Sequence, residues 1–156
     1  LYKIADPFLR FWFRYVDANR SRLQSGQAGG VLRDVGATFS HHVGSVWEDL
    51  VRESVADGDY FGIEWTPAAR WWGGGADRGA MEFDVVAGSE DGRSVLVGEA
   101  KWSSMKDPQG CRARLFEKAG NLPFARGRRV FAALWLKDCP PNPRDKVGVF
   151  TPDDLF

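Results

Sequence analysis

Two short apolar segments of this 156-residue chain carry charged side chains at a spacing of two residues. The first contains Glu82-x-Asp84, and the second contains Glu99-x-Lys101. Because side chains alternate between the faces of a strand, each pair would lie on one face. A carboxylate without a partner is costly within an apolar strand. The pattern therefore favours a chemical role for Asp84 and Glu99 over a packing role.

A turn between the two segments decides which residues face each other. Ser89-Glu90-Asp91-Gly92 contains Asp-Gly, the dipeptide favoured in two-residue hairpin turns. With that turn, Asp84 would lie opposite Glu99 and Glu82 opposite Lys101, with facing Cβ atoms about 4.5–5.5 Å apart. A four-residue loop would shift the pairing by two residues and keep the groups on the same face.

Two carboxylates at this distance repel each other unless a cation lies between them, and a divalent metal meets that need. We predict that Asp84 and Glu99 hold Mg²⁺ or Mn²⁺, with the carbonyl of Ala100 as a further ligand. Glu48, on a preceding helix, would complete the shell or contact a metal-bound water. Such a metal acidifies water and polarises a phosphate, and Lys101 would orient the water or neutralise the transition state. The predicted chemistry is phosphodiester hydrolysis.

Two of the acidic residues have structural alternatives. Glu82 would either support the site or, as its spacing favours, form a cross-strand ion pair with Lys101. Glu48 would be either a metal ligand or a surface glutamate of its helix. The spacing by itself leaves both alternatives open.

The composition is that of a single globular domain with a core, since 44% of the residues are hydrophobic. The 21 basic and 21 acidic residues balance, which argues against binding to nucleic acid by bulk charge. Basic residues nevertheless concentrate after the hairpin, where they would attract phosphates or form a solvated helix face. They are Lys101, Lys106, Arg112, Arg114, Lys118, Arg126, Arg128 and Arg129.

The remaining composition limits the setting of the protein. Cys111 and Cys139 lack the spacing of a zinc site, and we expect two free thiols in a reducing cytoplasm. No stretch reaches the ~18–20 apolar residues of a membrane span, so we expect no membrane partner. The chain begins within what looks like continuing structure, and we expect it to be part of a longer protein.

Hydrophobic periodicity and turn residues predict the elements that position these side chains. Asp6 is predicted to cap a helix beginning at Pro7, whose aromatic residues on most faces favour burial on more than one side. A connection over 24–30 would follow. The further predicted elements are a helix over 37–56, an extended segment over 61–72, a glycine turn over 73–75, the hairpin, a helix over 110–122, a strand over 129–136 buried on both faces and a last strand over 147–150. This order predicts an α/β fold in which helices flank a mixed sheet.

The acidic residues resemble the site of the PD-(D/E)xK nuclease superfamily. Glu48 matches that family's helix acid, Asp84 its metal-binding aspartate, and Glu99 with Lys101 its last pair. Phe83 stands where the family has proline. The resemblance implies a restriction-endonuclease-like sheet, a divalent metal and DNA as the partner.

A resemblance over nearly the whole chain is to the carboxy-terminal domain of archaeal-type P-loop ATPases, a domain of unknown function. It is carried by residues 6–16, 43–48, 82–86 and 98–102. The resemblance implies upstream ATPase and winged-helix domains in the same protein. ATP binding would belong to that upstream part, because this chain has no G-x-x-x-x-G-K-[ST] motif. Residues 1–30 would then be an aromatic helix and a connection, and residues 31–156 the nuclease-like domain.

Three functions follow as hypotheses. The domain is a metal-dependent DNA nuclease, or a nuclease-like module that docks DNA or a partner without cleavage, or a structural domain that serves oligomerisation of the ATPase.

Overall fold

A computed structural model describes residues 4–75, 79–138, 142 and 146–155. The helices are α1 (Pro7–Phe11), α2 (Arg20–Gln24), α3 (Ala28–Ser54) and α4 (Pro108–Ala119). The strands are β1 (Ala69–Gly74), β2 (Ala80–Gly88), β3 (Ser94–Lys101), β4 (Arg129–Leu136) and β5 (Val149–Phe150). The chain forms two compact units, Leu1–Val46 and Trp47–Phe156, and α3 runs through the boundary.

The first unit begins with the predicted cap. The side chain of Asp6 accepts a hydrogen bond from the backbone N–H of Leu9 at 2.9 Å, and Pro7 is the first helical residue. A π-helical turn over Trp12–Val16 and a 3-10 turn continue α1 toward α2. The predicted connection over 24–30 is wrong in extent, because α3 already begins at Ala28 and includes the two glycines that suggested a loop.

The aromatic helix is not buried on most faces within this chain. Tyr15 is buried and its hydroxyl is hydrogen-bonded to that of Thr38 at 2.9 Å, whereas Phe8 and Phe13 are 65% and 51% exposed. The reason is geometric, since α3 covers only the side of the helix that carries Phe11 and Tyr15. The predicted burial on more than one side is therefore wrong for this chain by itself.

The second unit is built on a mixed five-stranded sheet in the order β1-β2-β3-β4-β5. Strands β1, β2 and β3 pair antiparallel, and β3, β4 and β5 pair parallel. One face of the sheet forms the α4-side core with Leu115 and Ala119, and the other forms the α3-side core with Trp47 and Val51. Helices thus flank a mixed sheet, as the element order predicted.

Strand β4 confirms the prediction of a doubly buried strand, because Ala132–Leu136 are buried without interruption between the two cores. The predicted glycine turn over 73–75 is wrong in its first two residues. Gly73 and Gly74 pair with Met81 and Ala80 as the end of β1. A Cβ at Gly73 would lie 2.9 Å from the Trp71 ring, so glycine permits the ring's position there. Cys139 lies outside the described residues.

The hairpin has the predicted register although its turn is longer than predicted. Val85 pairs with Gly98 and Gly88 with Val95, so the next positions along are Asp84 and Glu99. The N–H of Ser89 donates to the carbonyl of Ser94 at 3.0 Å, which leaves four residues in the loop. The loop is centred on Asp91-Gly92, adding one residue on each side, and the register does not shift.

Candidate active site at the open end of the acidic hairpin

Helix α3 is fixed to the sheet next to the residue that precedes Glu48. The indole N–H of Trp47 donates to the backbone carbonyl of Trp135 at 3.1 Å, and both side chains are buried. Val51, one turn later, is fully buried in the α3-side core. Glu48 follows Trp47 directly and is therefore held half-buried at the sheet surface rather than on the solvent side of the helix.

A β-bulge at Asp84 changes the course of β2. Ala69 of β1 pairs with Val86, whereas Trp71 pairs with Phe83, so β2 has one residue more than β1 between these pairs. As a result, Phe83 and Val86 both contact the α4-side core, which unbroken alternation would forbid. The side chains of β2 before the bulge therefore alternate between the two faces of the sheet out of step with those after it, where β2 pairs with β3.

Arg52 holds the bulge to α3. Its Nη1 donates to the backbone carbonyl of Asp84 at 2.8 Å, and its Nη2 donates to Asp49 Oδ1 at 2.5 Å. The Arg52 side chain is only 15% exposed. A largely desolvated guanidinium with both partners in place makes a strong charge-assisted contact. Arg52 thereby fixes the backbone from which the Asp84 carboxylate projects.

The carboxylates of Asp84 and Glu99 converge on the ammonium group of Lys101. Asp84 Oδ2 accepts the backbone N–H of Ala100 at 3.1 Å and lies 4.0 Å from Lys101 Nζ. Glu99 Oε2 lies 3.7 Å from the same Nζ. The exposed fractions of the side chains rise from Asp84 (14%) to Glu99 (27%) and Lys101 (47%). The group therefore opens to solvent on the lysine side.

Glu48 belongs to the same electrostatic group. Burial raises the pKa of the Glu48 carboxyl, and the negative charge of Asp84 raises it further. The positive charges of Arg52, Arg70 and Lys101 act in the opposite direction. The structure thus brings Glu48 into the electrostatic field of Asp84.

Glu82 is directed to a different partner from the one that its spacing suggested. The predicted ion pair with Lys101 is replaced by one with Arg70, whose Nε lies 2.7 Å from Glu82 Oε1. The bulge explains the change, because it begins at Asp84 and takes this residue out of the alternation that Glu82 follows. Lys118 donates to the backbone carbonyl of Glu82 at 2.5 Å. Glu82 is a structural neighbour of the site rather than part of the group around Lys101.

The donor set suits a hard divalent cation in its chemistry. Carboxylate oxygens and a backbone carbonyl are the ligands that Mg²⁺ and Mn²⁺ prefer, and Mg²⁺ keeps several waters as ligands. Burial raises the pKa of the Glu48 carboxyl and the charge of Asp84 adds to the rise, and a nearby cation would relieve this second effect. Within the described residues, no three histidine, cysteine or acidic side chains are already gathered closely enough to hold a metal. Ala100 is 4% exposed, and its carbonyl stays a predicted ligand.

Two arginines of the site were missed by the sequence reasoning. Arg52 follows Glu48 by one helical turn, and this spacing is a signal that they share a helix face. Arg70 had no such signal, because its proximity to Glu82 depends on the pairing of β1 with β2.

In the described part of the chain, no helix is long and apolar enough to cross a membrane.

The fold and the site define a mixed α/β domain with a hairpin whose two carboxylates lie near one lysine. Residues 12–112 match the DUF234 family, described as archaeal and bacterial proteins of unknown function, and the chain belongs to this family. It is also similar to the uncharacterized protein MJECL04 of Methanocaldococcus jannaschii, with 27% identity over 109 residues. That match covers 68% of this chain and 23% of the relative. No solved structure matches the chain.

Proposed function

We propose that this protein is a metal-dependent DNA nuclease whose site is formed by Asp84, Glu99, Lys101 and Glu48. The single observation that carries the proposal is the convergence of two partly buried carboxylates on one lysine, 3.7 and 4.0 Å from its Nζ. Two partly buried carboxylates that share a single lysine leave a net negative charge, and such groups cluster at functional sites. The resemblance to PD-(D/E)xK nucleases and to a restriction-endonuclease-like sheet supports the same activity.

Each residue has a distinct role in this proposal. Asp84 and Glu99 would hold Mg²⁺ or Mn²⁺, with the carbonyl of Ala100 as a further ligand and Glu48 accepting hydrogen bonds from metal-bound waters. The bound cation acidifies a water and withdraws electrons from the phosphate. Lys101 would orient the attacking water and stabilise negative charge on the phosphoryl oxygens. Its side chain is 47% exposed, so a phosphate arriving from solvent can reach it.

A cleavage assay tests the activity. The whole chain is incubated with single-stranded and duplex DNA in Mg²⁺, in Mn²⁺ and in EDTA. We expect metal-dependent cleavage that falls by about 10²-fold or more in Asp84→Asn and in Lys101→Met, since each removes a group that acts in the transition state. Glu90→Gln, in the exposed hairpin loop, is the matched control and should cleave like the wild type. Cleavage that survives both site substitutions would sink the proposal.

A second candidate is a docking module that retains the nuclease-like site without cleaving. The observation that favours it is the position of Lys101, whose ammonium is near enough to neutralise both carboxylates in part. DNA binding by the wild-type protein without cleavage in either metal would select this function. A purely structural domain that serves oligomerisation is favoured only if the protein neither binds nor cleaves DNA.

The surrounding protein is part of the proposal. The chain spans 23% of the length of the curated relative that it matches. We propose that upstream ATPase and winged-helix domains occupy part of such longer chains, that ATP binds there, and that the protein acts in the cytoplasm. Co-purification of ATPase activity with the full-length protein, and its absence from this domain, would test that arrangement.

A further inference from the structure

Helix α4 turns one row of side chains toward the acidic end of the hairpin. Its rotation is fixed because Leu115 and Ala119 are buried in the α4-side core. Lys118 donates to the backbone carbonyl of Glu82, and its Nζ lies 4.5 Å from the centre of the Phe83 ring. Cys111 lies two turns earlier and is packed against the same core. The row therefore reaches β2 at Glu82 and Phe83.

Arg114 lies in this row between Cys111 and Lys118, since residues three and four apart share a helix face. Burial raises the pKa of the Cys111 thiol and the charge of Glu99 raises it further, while Arg114 and Lys101 act in the opposite direction. Arg114 thus shares the helix face of Lys118, which contacts the Glu82 carbonyl and the Phe83 ring at the acidic end of the hairpin.

Arg114 also differs from the arginines that serve the fold. Arg52 and Arg70 are each paired with a carboxylate. Arg114 is exposed, and none of the acidic residues that the structure describes forms an ion pair with it. Its guanidinium is therefore accessible from solvent next to a site that would bind an anionic polymer.

We propose that Arg114 binds a backbone phosphate of the nucleic acid adjacent to the phosphate held at Asp84 and Glu99, and so positions the substrate on the α4 side of the site. This inference rests on the proposed nuclease function and names a further contact of the same substrate. A guanidinium presents a planar fork of donors that matches phosphate oxygens, which an ammonium does not. Because phosphate contacts carry no base information, the contact would be independent of sequence.

The chain offers a control of equal charge far from the site. Arg129 pairs with Ser94, the first residue of β3, whereas Lys101 is the last, roughly 23 Å away along the strand. Arg128 is exposed at this far end, where its guanidinium lies about 4 Å from the position of a Cβ on Gly88. Arg128→Gln removes the same charge without touching the acidic end of the hairpin.

The test is DNA binding by the whole chain in the Asp84→Asn background, which prevents turnover. Fluorescence anisotropy with labelled single-stranded and duplex oligonucleotides is measured over a series of salt concentrations. We expect Arg114→Gln to weaken binding by about three- to tenfold for every sequence and to lower the slope of log K against log salt by about 0.7–0.9. Arg114→Lys should restore the slope but only part of the affinity. Arg128→Gln should change neither.

The outcomes separate this inference from the proposed function. Equal effects of Arg114→Gln and Arg128→Gln, in a protein that cleaves DNA, overturn the role of Arg114 and leave the nuclease intact. A selective loss of binding in Arg114→Gln, in a protein that never cleaves, supports Arg114 and overturns the nuclease. Absence of both binding and cleavage in the wild type overturns both.

Discussion

The Glu48 carboxyl keeps its proton to a higher pH than an ordinary glutamate, because it is partly buried and faces the charge of Asp84. The folded state therefore binds this proton more tightly than the unfolded state. The free energy of unfolding then falls as the pH rises from about 4.3, the usual pKa of glutamate, through the raised pKa. At neutral pH the ionised Glu48 carboxylate therefore lowers the free energy of unfolding, and it places a negative charge beside Asp84.

We predict that Glu48→Gln removes the fall in the free energy of unfolding that the Glu48 carboxyl causes as the pH rises. Thermal unfolding of the variant and the wild type should give the variant a growing advantage between pH 4 and pH 7. Glu53→Gln, on the exposed side of the same helix, is the control for removing a helix carboxylate. A gap between Glu48→Gln and the wild type that stays constant with pH would contradict the electrostatic account.

At the scale of elements, the bulge in β2 depends on one side chain from α3. We predict that Arg52→Met lowers the free energy of unfolding by about 1–3 kcal/mol, since it removes the donor to the Asp84 carbonyl and the ion pair with Asp49. Arg52→Lys should recover only part, because one ammonium does not span both partners. Urea unfolding measures the effect, with Arg33→Met on an exposed part of α3 as the control. Equal losses in the Arg52 and Arg33 variants would show that the bulge does not need this contact.

The pairing of β3 with β4 leaves no room for a side chain at Gly98, the residue before Glu99. A Cβ at Gly98 would lie 2.2 Å from the Trp135 ring and 3.0 Å from the carbonyl of Ala133. We predict that Gly98→Ala destabilises the protein by about 1–3 kcal/mol through overpacking. Gly36→Ala, in α3 with nothing within 4 Å of the added Cβ, should instead stabilise by up to about 1 kcal/mol. The pair is compared by urea unfolding, and a neutral Gly98→Ala would mean that the strands can separate locally.

At the scale of the whole molecule, a cation that binds only the folded site must raise the stability of the fold that forms it. We predict that Mn²⁺ at about 100 times its Kd stabilises the chain by roughly 2.7 kcal/mol, or about 5–11 °C in Tm. Calorimetric titration and thermal unfolding should agree, and both effects should vanish in Asp84→Asn. An equal Tm shift in Asp84→Asn would place the bound cation elsewhere on the protein.

The first unit exposes an apolar surface on the helix that follows the Asp6 cap. In the described part of the first unit, on this helix, before it and on α3, the exposed large apolar side chains are Ile4, Phe8, Leu9, Trp12, Phe13, Leu32 and Phe39. An apolar surface of this kind is typical of a region that contacts another protein segment.

Local chemistry determined much of this protein. Asp6-Pro7 specified a helix start, the unbroken apolar run of β4 specified a doubly buried strand, and Asp91-Gly92 centred the hairpin so that Asp84 and Glu99 share a register. These features depend on neighbours in the sequence, for which turn geometry and alternation are sufficient guides.

Only the tertiary structure decided how the site is assembled. The bulge that separates Glu82 from Asp84 exists because β1 and β2 pair with unequal numbers of residues, and Arg52 reaches it from another element. Glu48 faces Asp84 because Trp47 ties α3 to β4. These contacts join residues that are distant in the chain, and their energies depend on packing and burial that no local pattern encodes.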